Sequence, residues 1–185
     1  KILDVPKDTE TQKIGSAGVV GSGTMGGGIA MNFANAGIPV IVLDQDEKNL
    51  ERGIGVIEKN YQMMVDRGRL SQEMKDGVMS LITPSLNYED LTDCDIVIEA
   101  VYENLDLKQE IFKKLDDVVK GDAILASNTS GLDIDAISSV TNRPEKVVGT
   151  HFFSPANIMR LLEIVRGEKT SKETLATIMK LGKII

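Results

Sequence analysis

The sequence has very little of the features that define several other classes of protein. One cysteine, Cys94, occurs among 185 residues, which excludes an intrachain disulfide and favours an intracellular compartment. Its acidic neighbours disfavour the thiolate, so we expect low reactivity. No apolar run approaches the length of a membrane span, and residues 1–6 lack the apolar core of a signal peptide. These absences predict an intracellular protein with no membrane partner.

Blocks of like charge are also absent. The net charge is −7, and no run of five or more like charges occurs. Nucleic-acid binding requires a basic patch, and binding to anionic membranes requires clustered cations. With 42% hydrophobic residues, the composition is that of a soluble globular protein. We therefore expect no nucleic-acid partner, and we predict no metal site.

A glycine-rich turn follows the first apolar run of the chain. The pattern G-x-G-x-x-G separates the predicted strand 15–20 from the predicted helix 25–36. The first glycine permits the tight turn, the second lets the backbone approach a pyrophosphate, and the third lets the helix pack closely on the strand. The helix N-terminus offers free N–H groups and a positive dipole to phosphates. We assign these residues to cofactor binding: Gly21, Gly23, Thr24, Met25 and Gly26.

A carboxylate ends the second predicted strand. Asp44 follows the apolar run 39–43 and lies eighteen residues beyond Gly26. An acid at this place accepts hydrogen bonds from the adenine ribose and repels a 2′-phosphate, so the predicted cofactor is NAD(H) and not NADP(H). A glycine-rich loop in some other α/β protein is the alternative. The order of strand, helix, second strand and acid favours a dinucleotide-binding unit.

Strands and helices alternate along the rest of the chain. We interpret residues 1–12 as a tail or linker and residues 13–185 as one domain. The predicted strands are 15–20, 39–43, 95–100, 123–127, 147–153 and 161–165, and residues 82–85 are predicted to be a short extended piece. The predicted helices are 25–36, 47–67, 72–81, 107–119, 133–140 and 171–185. This alternation predicts an α/β, Rossmann-like doubly wound fold, with a mainly parallel sheet and helices on both faces. Because the last predicted helix is apolar and uncapped at its end, we expect the chain to be a fragment that another domain follows.

The one histidine and a glutamate near it are candidates for acid–base chemistry. His151 ends a predicted strand, at the edge where open α/β sheets bind ligands. Glu163 is the only charge in the predicted strand 161–165, and a buried carboxylate needs a partner. Imidazole can take the hydroxyl proton of an alcohol near neutral pH, and a carboxylate behind it fixes the tautomer. Taken singly, a structural histidine and a solvent-facing glutamate are the alternatives, but the pair in a dinucleotide fold favours a base.

Two further loops follow predicted strands at the same edge. Residues 127–130 carry hydroxyls that could reach a nicotinamide or a substrate carbonyl, or could cap the next helix. Ala100 is small enough to let a cofactor lie flat, whereas Glu103 either borders the cofactor or begins the following helix. On the residues alone, both interpretations of each loop stay open.

These motifs resemble those of the 3-hydroxyacyl-CoA dehydrogenase family, over residues from about 13 to 185. The matching positions are Gly21 to Gly26, Asp44, 98–100, 103–104, 127–130, 151–153 and Glu163. The form of 151–156 looks most like the peroxisomal-type multifunctional β-oxidation enzymes, in which an enoyl-CoA hydratase part precedes this module. The resemblance implies oxidation of L-3-hydroxyacyl-CoA to 3-ketoacyl-CoA with NAD, in fatty acid β-oxidation.

The resemblance also implies roles for individual residues. His151 would be the base, Glu163 its orienting partner, and Ser130 a group close to substrate and nicotinamide. Glu103 and Lys108 would match positions near the nicotinamide ribose and amide. Ser154 departs from the asparagine that is common in single-function members, although its hydroxyl can still donate one hydrogen bond.

The resemblance further implies parts and partners outside this sequence. Family members continue into an all-helical domain that closes the acyl-CoA cleft and often carries the dimer interface, so we expect such a domain and a homodimer in the full-length protein. A peroxisome is the expected compartment in a eukaryote, with the mitochondrial matrix or the bacterial cytoplasm as alternatives. The alternative functions are a dehydrogenase of a small hydroxy acid or sugar acid, and a non-catalytic NAD(H)-binding module. The His151–Glu163 pair argues against the module, because sensing needs no base.

Overall fold

The computed structural model describes residues 4–185 and contains one seven-stranded sheet. The strands are β1 (Ala17–Val20), β2 (Val40–Leu43), β3 (Ile82–Ser85), β4 (Ile96–Glu99), β5 (Ile124–Ser127), β6 (Val147–Phe152) and β7 (Leu162–Arg166). The α-helices are α1 (Thr24–Asn35), α2 (Glu47–Asp66), α3 (Gln72–Met79), α4 (Leu105–Val118), α5 (Ile134–Ser138) and α6 (Lys172–Leu181). Short 3₁₀ turns lie at Tyr88–Leu91 and Pro144–Lys146.

The strand order is β3-β2-β1-β4-β5-β6-β7. The first six strands run parallel, and β7 returns antiparallel to β6 at the edge of the sheet. The chain reverses its direction of winding between β1 and β4, which is the switch point where doubly wound sheets bind ligands at the carboxyl ends of their strands. The predicted fold class is therefore confirmed, and the switch point lies beside the glycine-rich turn.

Helices cover both faces of the sheet, as predicted, because the parallel strands are apolar on both sides. One buried cluster joins the sheet to α1, α2 and α6 through Ile29, Phe33, Ile57, Tyr61, Leu175 and Ile178. The other joins the opposite face to α4 and α5 through Ile111, Phe112, Leu115, Ile134 and Ile137. The two clusters hold the carboxyl ends of β1, β4, β5 and β6 side by side.

Capping residues explain where the helices begin and end. Ser71 caps α3 as expected, accepting a hydrogen bond from the Met74 amide at 3.1 Å. The Asn104 side chain accepts from the Leu107 amide at 2.9 Å, so α4 begins at Leu105, earlier than the apolar periodicity predicts. The last helix ends at Leu181 instead of residue 185, because Gly182 follows and glycine is a poor helix former.

The described part of the predicted tail, residues 4–12, contains no helix or strand and lies against the domain. The Asp4 carboxylate accepts a hydrogen bond from Arg166 of β7 at 2.7 Å. The Gln12 amide donates to the Thr177 hydroxyl of α6 at 2.9 Å. This segment therefore contacts the last strand and the last helix.

Two expectations from composition, on Cys94 and on membrane-spanning segments, can be compared with the structure. Cys94 is buried, and burial together with the neighbouring Asp95 raises the pKa of its thiol to about 11. The predicted low reactivity thus has burial as its main cause and the acidic neighbours as a lesser one. Within residues 4–185, none of the helices is both long and apolar enough to cross a membrane.

Candidate active site

The glycine-rich turn joins β1 to α1, and each of its three glycines meets a different geometric demand. Gly21 has φ +104°, a conformation that side-chain-bearing residues rarely adopt. A Cβ on Gly26 would collide with the carbonyl oxygen of Gly21, so α1 packs directly on the turn. A Cβ on Gly23 would meet nothing within 4 Å. The backbone of Gly23 therefore faces open space, which a side chain would partly fill.

The N-terminus of α1 carries no side-chain cap. Gly23 is the N-cap, and the first turn, which begins with Thr24 and Met25, contains no acidic residue. Its backbone N–H groups and the positive end of the helix dipole are thus left for an anion. Together with the open space beside Gly23, this end fits the pyrophosphate of a dinucleotide.

Asp44 follows β2 and lies next to the same turn. Its Oδ2 accepts hydrogen bonds from the Ser22 amide at 3.0 Å and the Ser22 hydroxyl at 2.7 Å, and its Oδ1 accepts from the Asp46 amide at 3.2 Å. Partial burial raises the pKa of this carboxyl, but the hydrogen bonds outweigh burial and hold the pKa below its ordinary value. Asp44 is therefore an anion at neutral pH, as recognition of ribose hydroxyls requires.

His151 and Glu163 form the predicted pair across the two edge strands. They are directly opposed in the antiparallel register of β6 and β7, and His151 Nδ1 lies 2.9 Å from Glu163 Oε2. The Phe153 ring lies against the imidazole, with the ring centroids 4.5 Å apart. Because Glu163 occupies Nδ1, the other ring nitrogen, Nε2, remains for a substrate.

The predicted burial of Glu163 is wrong. Its side chain is 56% exposed, against 23% for that of His151. Glu163 is exposed because β7 is the outermost strand of the sheet. The residues that flank Glu163 along β7 are partly buried, whereas Glu163 itself faces the solvent. Exposure leaves the hydrogen bond to His151 in place.

A cavity of about 340 Å³ is lined by His151 and by most of the residues that are predicted to contact the nicotinamide end of the cofactor. It opens between the start of α1 and the loops that follow β4, β5 and β6. Its lining comprises Met25, Ala100, Val101, Glu103, Asn128, Ser130, His151, Phe152, Phe153 and Ser154. A separate groove of about 460 Å³ contains Asp44 and Gly23. The glycine-rich turn lies between the two spaces.

Lys108 lies behind the residues that line the cavity, and its predicted place near the nicotinamide stays a prediction. Its side chain is fully buried. The ammonium donates to both carboxylate oxygens of Glu99, at 2.7 and 2.9 Å, and to the backbone carbonyl of Asn128 at 3.2 Å. The helical position of Lys108, one turn inside α4, directs it into the end of the sheet, where the lone acid of β4 is its partner.

Glu99 and Asn128 are included in the sequence segments 98–100 and 127–130, but neither residue is given a role of its own there. Glu99 is the only charge in β4 and is completely buried, and burial raises its pKa while Lys108 and Ser127 oppose that rise. The argument applied to Glu163, that a lone charge in an apolar strand needs a partner, identifies Glu99 as well. Asn128 accepts the Phe152 amide at 3.0 Å and so ties the loop after β5 to the residue beside His151; no sequence signal indicates that contact.

Known proteins share the sequence pattern and the fold of this chain. The sequence profile of the family described as "3-hydroxyacyl-CoA dehydrogenase, NAD binding domain" matches residues 16–185. The peroxisomal bifunctional enzyme of Danio rerio is 45% identical over 95% of this chain, which covers 24% of that enzyme. The 3-hydroxybutyryl-CoA dehydrogenase of Clostridioides difficile is 41% identical over 90% of this chain, which covers 59% of that protein.

A solved structure agrees with these sequence relatives. The (S)-3-hydroxybutyryl-CoA dehydrogenase PaaH1 of Ralstonia eutropha superposes with a TM-score of 0.90 at 37% identity, over 93% of this chain and 61% of that one. The chain thus spans only about a quarter of multifunctional relatives and under two thirds of shorter ones. The glycine-rich turn, Asp44 and the cavity beside His151 all lie within the matched residues, and the chain belongs to the NAD-binding domain family of 3-hydroxyacyl-CoA dehydrogenases.

Proposed function

We propose that this protein oxidises an L-3-hydroxyacyl-CoA to the 3-ketoacyl-CoA with NAD, as part of fatty acid β-oxidation. The observation that carries the proposal is the His151–Glu163 pair at the wall of a cavity that the start of α1 also lines. In this cavity a base would lie beside the nicotinamide end of the dinucleotide, and oxidation of an alcohol needs that arrangement. The names of the multifunctional and short-chain relatives support the same reaction class.

When bound, NAD would supply the acceptor for the hydride that leaves the alcohol carbon. The N–H groups of the α1 N-terminus would hold the pyrophosphate, and Asp44 would accept hydrogen bonds from the adenine ribose. Ala100 and Glu103 would border the nicotinamide end. Nε2 of His151 takes the hydroxyl proton, while Glu163 holds Nδ1 as a donor and stabilises the imidazolium that forms.

The substrate oxygen lies, in this proposal, between His151 and two hydroxyl-bearing residues of the cavity. Ser130 follows β5 and Ser154 follows β6, and both line the cavity with the imidazole. A hydroxyl at either place can donate to the developing carbonyl oxygen. These two serines are therefore proposed to orient the substrate, and His151 to move its proton.

The adenine half of the cofactor has its own groove beside the glycine-rich turn. This groove of about 460 Å³ runs from Asp44 across α1 and α2 to Ile158, just beyond the His151 loop. Arg52 is the one cation in its lining, and it suits an anionic nucleotide. The choice of a CoA thioester over a small free acid is supported by the names of the relatives.

The choice between thioester and free acid is directly testable. We expect the full-length protein to oxidise NADH rapidly with acetoacetyl-CoA and at least about 100-fold more slowly with acetoacetate, because the free acid forgoes the binding energy of the CoA part. The measurement is NADH absorbance under matched concentrations of the two acceptors. Equal rates would favour a dehydrogenase of small hydroxy acids, and binding of NADH without turnover of either acceptor would favour a non-catalytic module.

The cofactor preference follows from Asp44. We expect residues 1–185 to bind NADH in clear preference to NADPH, and we expect Asp44→Ala to weaken NADH binding by about 1–3 kcal/mol, the cost of hydrogen bonds to a charged group. Fluorescence titration measures both. Asp66→Ala removes an exposed carboxylate at the end of α2 and is the matched control. Equal affinity for the two cofactors in the unaltered chain would remove Asp44 from this role.

The setting of the reaction is part of the proposal. The relatives include a peroxisomal enzyme and bacterial proteins, and we propose a peroxisomal location if the source is a eukaryote. We further propose that an all-helical domain closes the acyl-CoA cleft and that the full-length protein forms a homodimer. Size-exclusion chromatography with light scattering on the full-length protein measures the dimer directly.

A further inference from the structure

The proposed base lies on a part of β6 that extends beyond its neighbour in the sheet. The register between β5 and β6 ends at the pair Ser127 and Gly149, whereas β6 continues to Phe152. Over these last residues, the described strand that pairs with β6 is β7, and the opposed His151 and Glu163 lie there. The two groups proposed for proton transfer therefore lie on a two-stranded ribbon at the edge of the sheet.

A two-stranded ribbon holds its own position poorly. Isolated pairs of strands are marginally stable in water, and they twist more than strands inside a wide sheet. The outer strand of this ribbon is also open to solvent, because β7 is the edge strand and Glu163 is exposed. Pairing of β6 with β7 keeps His151 next to Glu163. It does not fix where that pair lies in the cavity, because both strands of the ribbon can move together.

The side chain of Asn128 joins this ribbon to the interior of the sheet. Asn128 directly follows β5, and its Oδ1 accepts a hydrogen bond from the Phe152 amide at 3.0 Å. The Asn128 amide donates to the carbonyl of Glu99, at the end of β4, at 2.7 Å. Since the order of these strands is β4-β5-β6, one residue ties together the ends of three neighbouring strands. Its side chain takes the place of backbone pairing where β5 has ended.

A side-chain hydrogen bond at this point also leaves space that a longer strand would fill. Continued pairing of β5 with β6 would bring the two backbones to the usual strand spacing of about 4.8 Å. Because β5 ends, the cavity of about 340 Å³ opens here, with Asn128, His151 and Phe152 in its lining. The hydrogen bond therefore holds the end of β6 while the space beside the imidazole stays open.

We propose that Asn128 is a positioning residue for the base, which fixes the place of the His151 imidazole in the cavity by holding the Phe152 amide. This role rests on the proposed function, because it takes His151 as the base. Asn128 acts through the backbone of the neighbouring residue. Loss of its hydrogen bond leaves the contact between His151 and Glu163 in place but lets the ribbon shift, and a shift of about 1 Å near the reacting atoms can cost about 100-fold in rate.

The test compares substitutions of Asn128 in the full-length protein. Asn128→Leu keeps the volume of the side chain and removes the acceptor, whereas Asn128→Asp keeps an oxygen at the same reach. Asn128→Ser, whose shorter side chain lacks that reach, is the second arm if the leucine variant folds poorly. Asn32→Leu is the matched control, because the Asn32 side chain also bonds the backbone of the segment after β6, at the Ala156 carbonyl, at 3.0 Å. Steady-state rates with acetoacetyl-CoA and NADH are measured, together with thermal melting of each variant.

We expect Asn128→Leu to lower kcat by about 10- to 100-fold, with the KM for NADH within about twofold of the unaltered value, because only the position of the base changes. Asn128→Asp should retain kcat within about fivefold, since its carboxylate oxygen accepts the same amide. Asn32→Leu should retain full activity. Combining Asn128→Leu with His151→Gln should be little slower than His151→Gln alone, because Asn128 acts through the imidazole.

Other results would contradict this role. Normal kcat in the folded leucine or serine variant would show that His151 keeps its place without Asn128. An equal loss in Asn128→Asp or in Asn32→Leu would show a general loosening of the fold. Losses that multiply with those of His151→Gln, or that appear in the KM for NADH, would show that Asn128 acts on cofactor or substrate directly. If the unaltered full-length protein turns over no acetoacetyl-CoA, the proposed function itself fails, and the positioning role fails with it.

Discussion

His151→Gln or Glu163→Gln in the full-length protein is expected to lower kcat by about 10²–10⁴-fold, the range for loss of a general base, with little change in the KM for NADH. The geometry gives the reason, since the 2.9 Å contact leaves Nε2 for the substrate proton and places the carboxylate where imidazolium charge develops. Steady-state rates with acetoacetyl-CoA measure the loss. Glu168→Gln, an exposed glutamate just beyond β7, is the matched control and should retain full activity.

The double variant tests whether the two residues act as one unit. Because Glu163 is proposed to work only through the imidazole, combining both changes should be little worse than the poorer single change. Among the described residues, the contact between His151 Nδ1 and Glu163 Oε2 is the only side-chain hydrogen bond that either residue makes. Multiplicative losses in the double variant would show that Glu163 contributes independently of His151.

The second large effect concerns residues 1–185 taken alone. We expect this chain to bind NADH but to turn over acetoacetyl-CoA orders of magnitude more slowly than the full-length protein. His151 and Glu163 are both partly exposed, and the cavity beside them is walled by one sheet edge, whereas hydride transfer needs a held substrate and exclusion of water. NADH oxidation by the two forms, at equal concentration, gives the ratio.

Addition of the proposed helical domain, in the same chain or as a separate polypeptide, should restore the rate. The matched control is the same addition to His151→Gln, which should stay slow even when the cleft is closed. A rate on the order of 10 s⁻¹ from residues 1–185 alone, ordinary for an enzyme, would show that the site is complete within this domain.

The parts of the site that have local causes were predictable from the sequence. Each glycine of the turn is required by the space available within that turn, as at Gly21, Gly23 and Gly26. Their spacing in the sequence therefore predicts the turn and the helix that follows it. The alternation of apolar strands and amphipathic helices was sufficient for the doubly wound sheet. His151 and Glu163 were paired because each is the unusual residue of its strand.

The remaining features of the site depend on the order of the strands in the sheet and on how deeply each side chain is buried. No local sequence pattern indicates either of these. The sequence predicts a buried Glu163, but β7 is the edge strand, and an edge position follows from the order of the strands in the sheet. The depth of Lys108 is set by Glu99, which lies nine residues earlier at the end of β4, and no local pattern shows that contact. The Asn128–Phe152 contact joins strands that only the folded sheet makes neighbours.

The claim at the centre of this account is that the cofactor and the base share one site. The chain has a single histidine, so its imidazole signals in an NMR spectrum belong to His151 without further assignment. We predict that titration of residues 1–185 with NADH shifts the His151 ring signals in proportion to cofactor bound, because the nicotinamide end lies in the cavity that His151 lines. ADP, which lacks that end, should leave the same signals in place. Saturation with NADH without movement of the His151 signals would contradict the account.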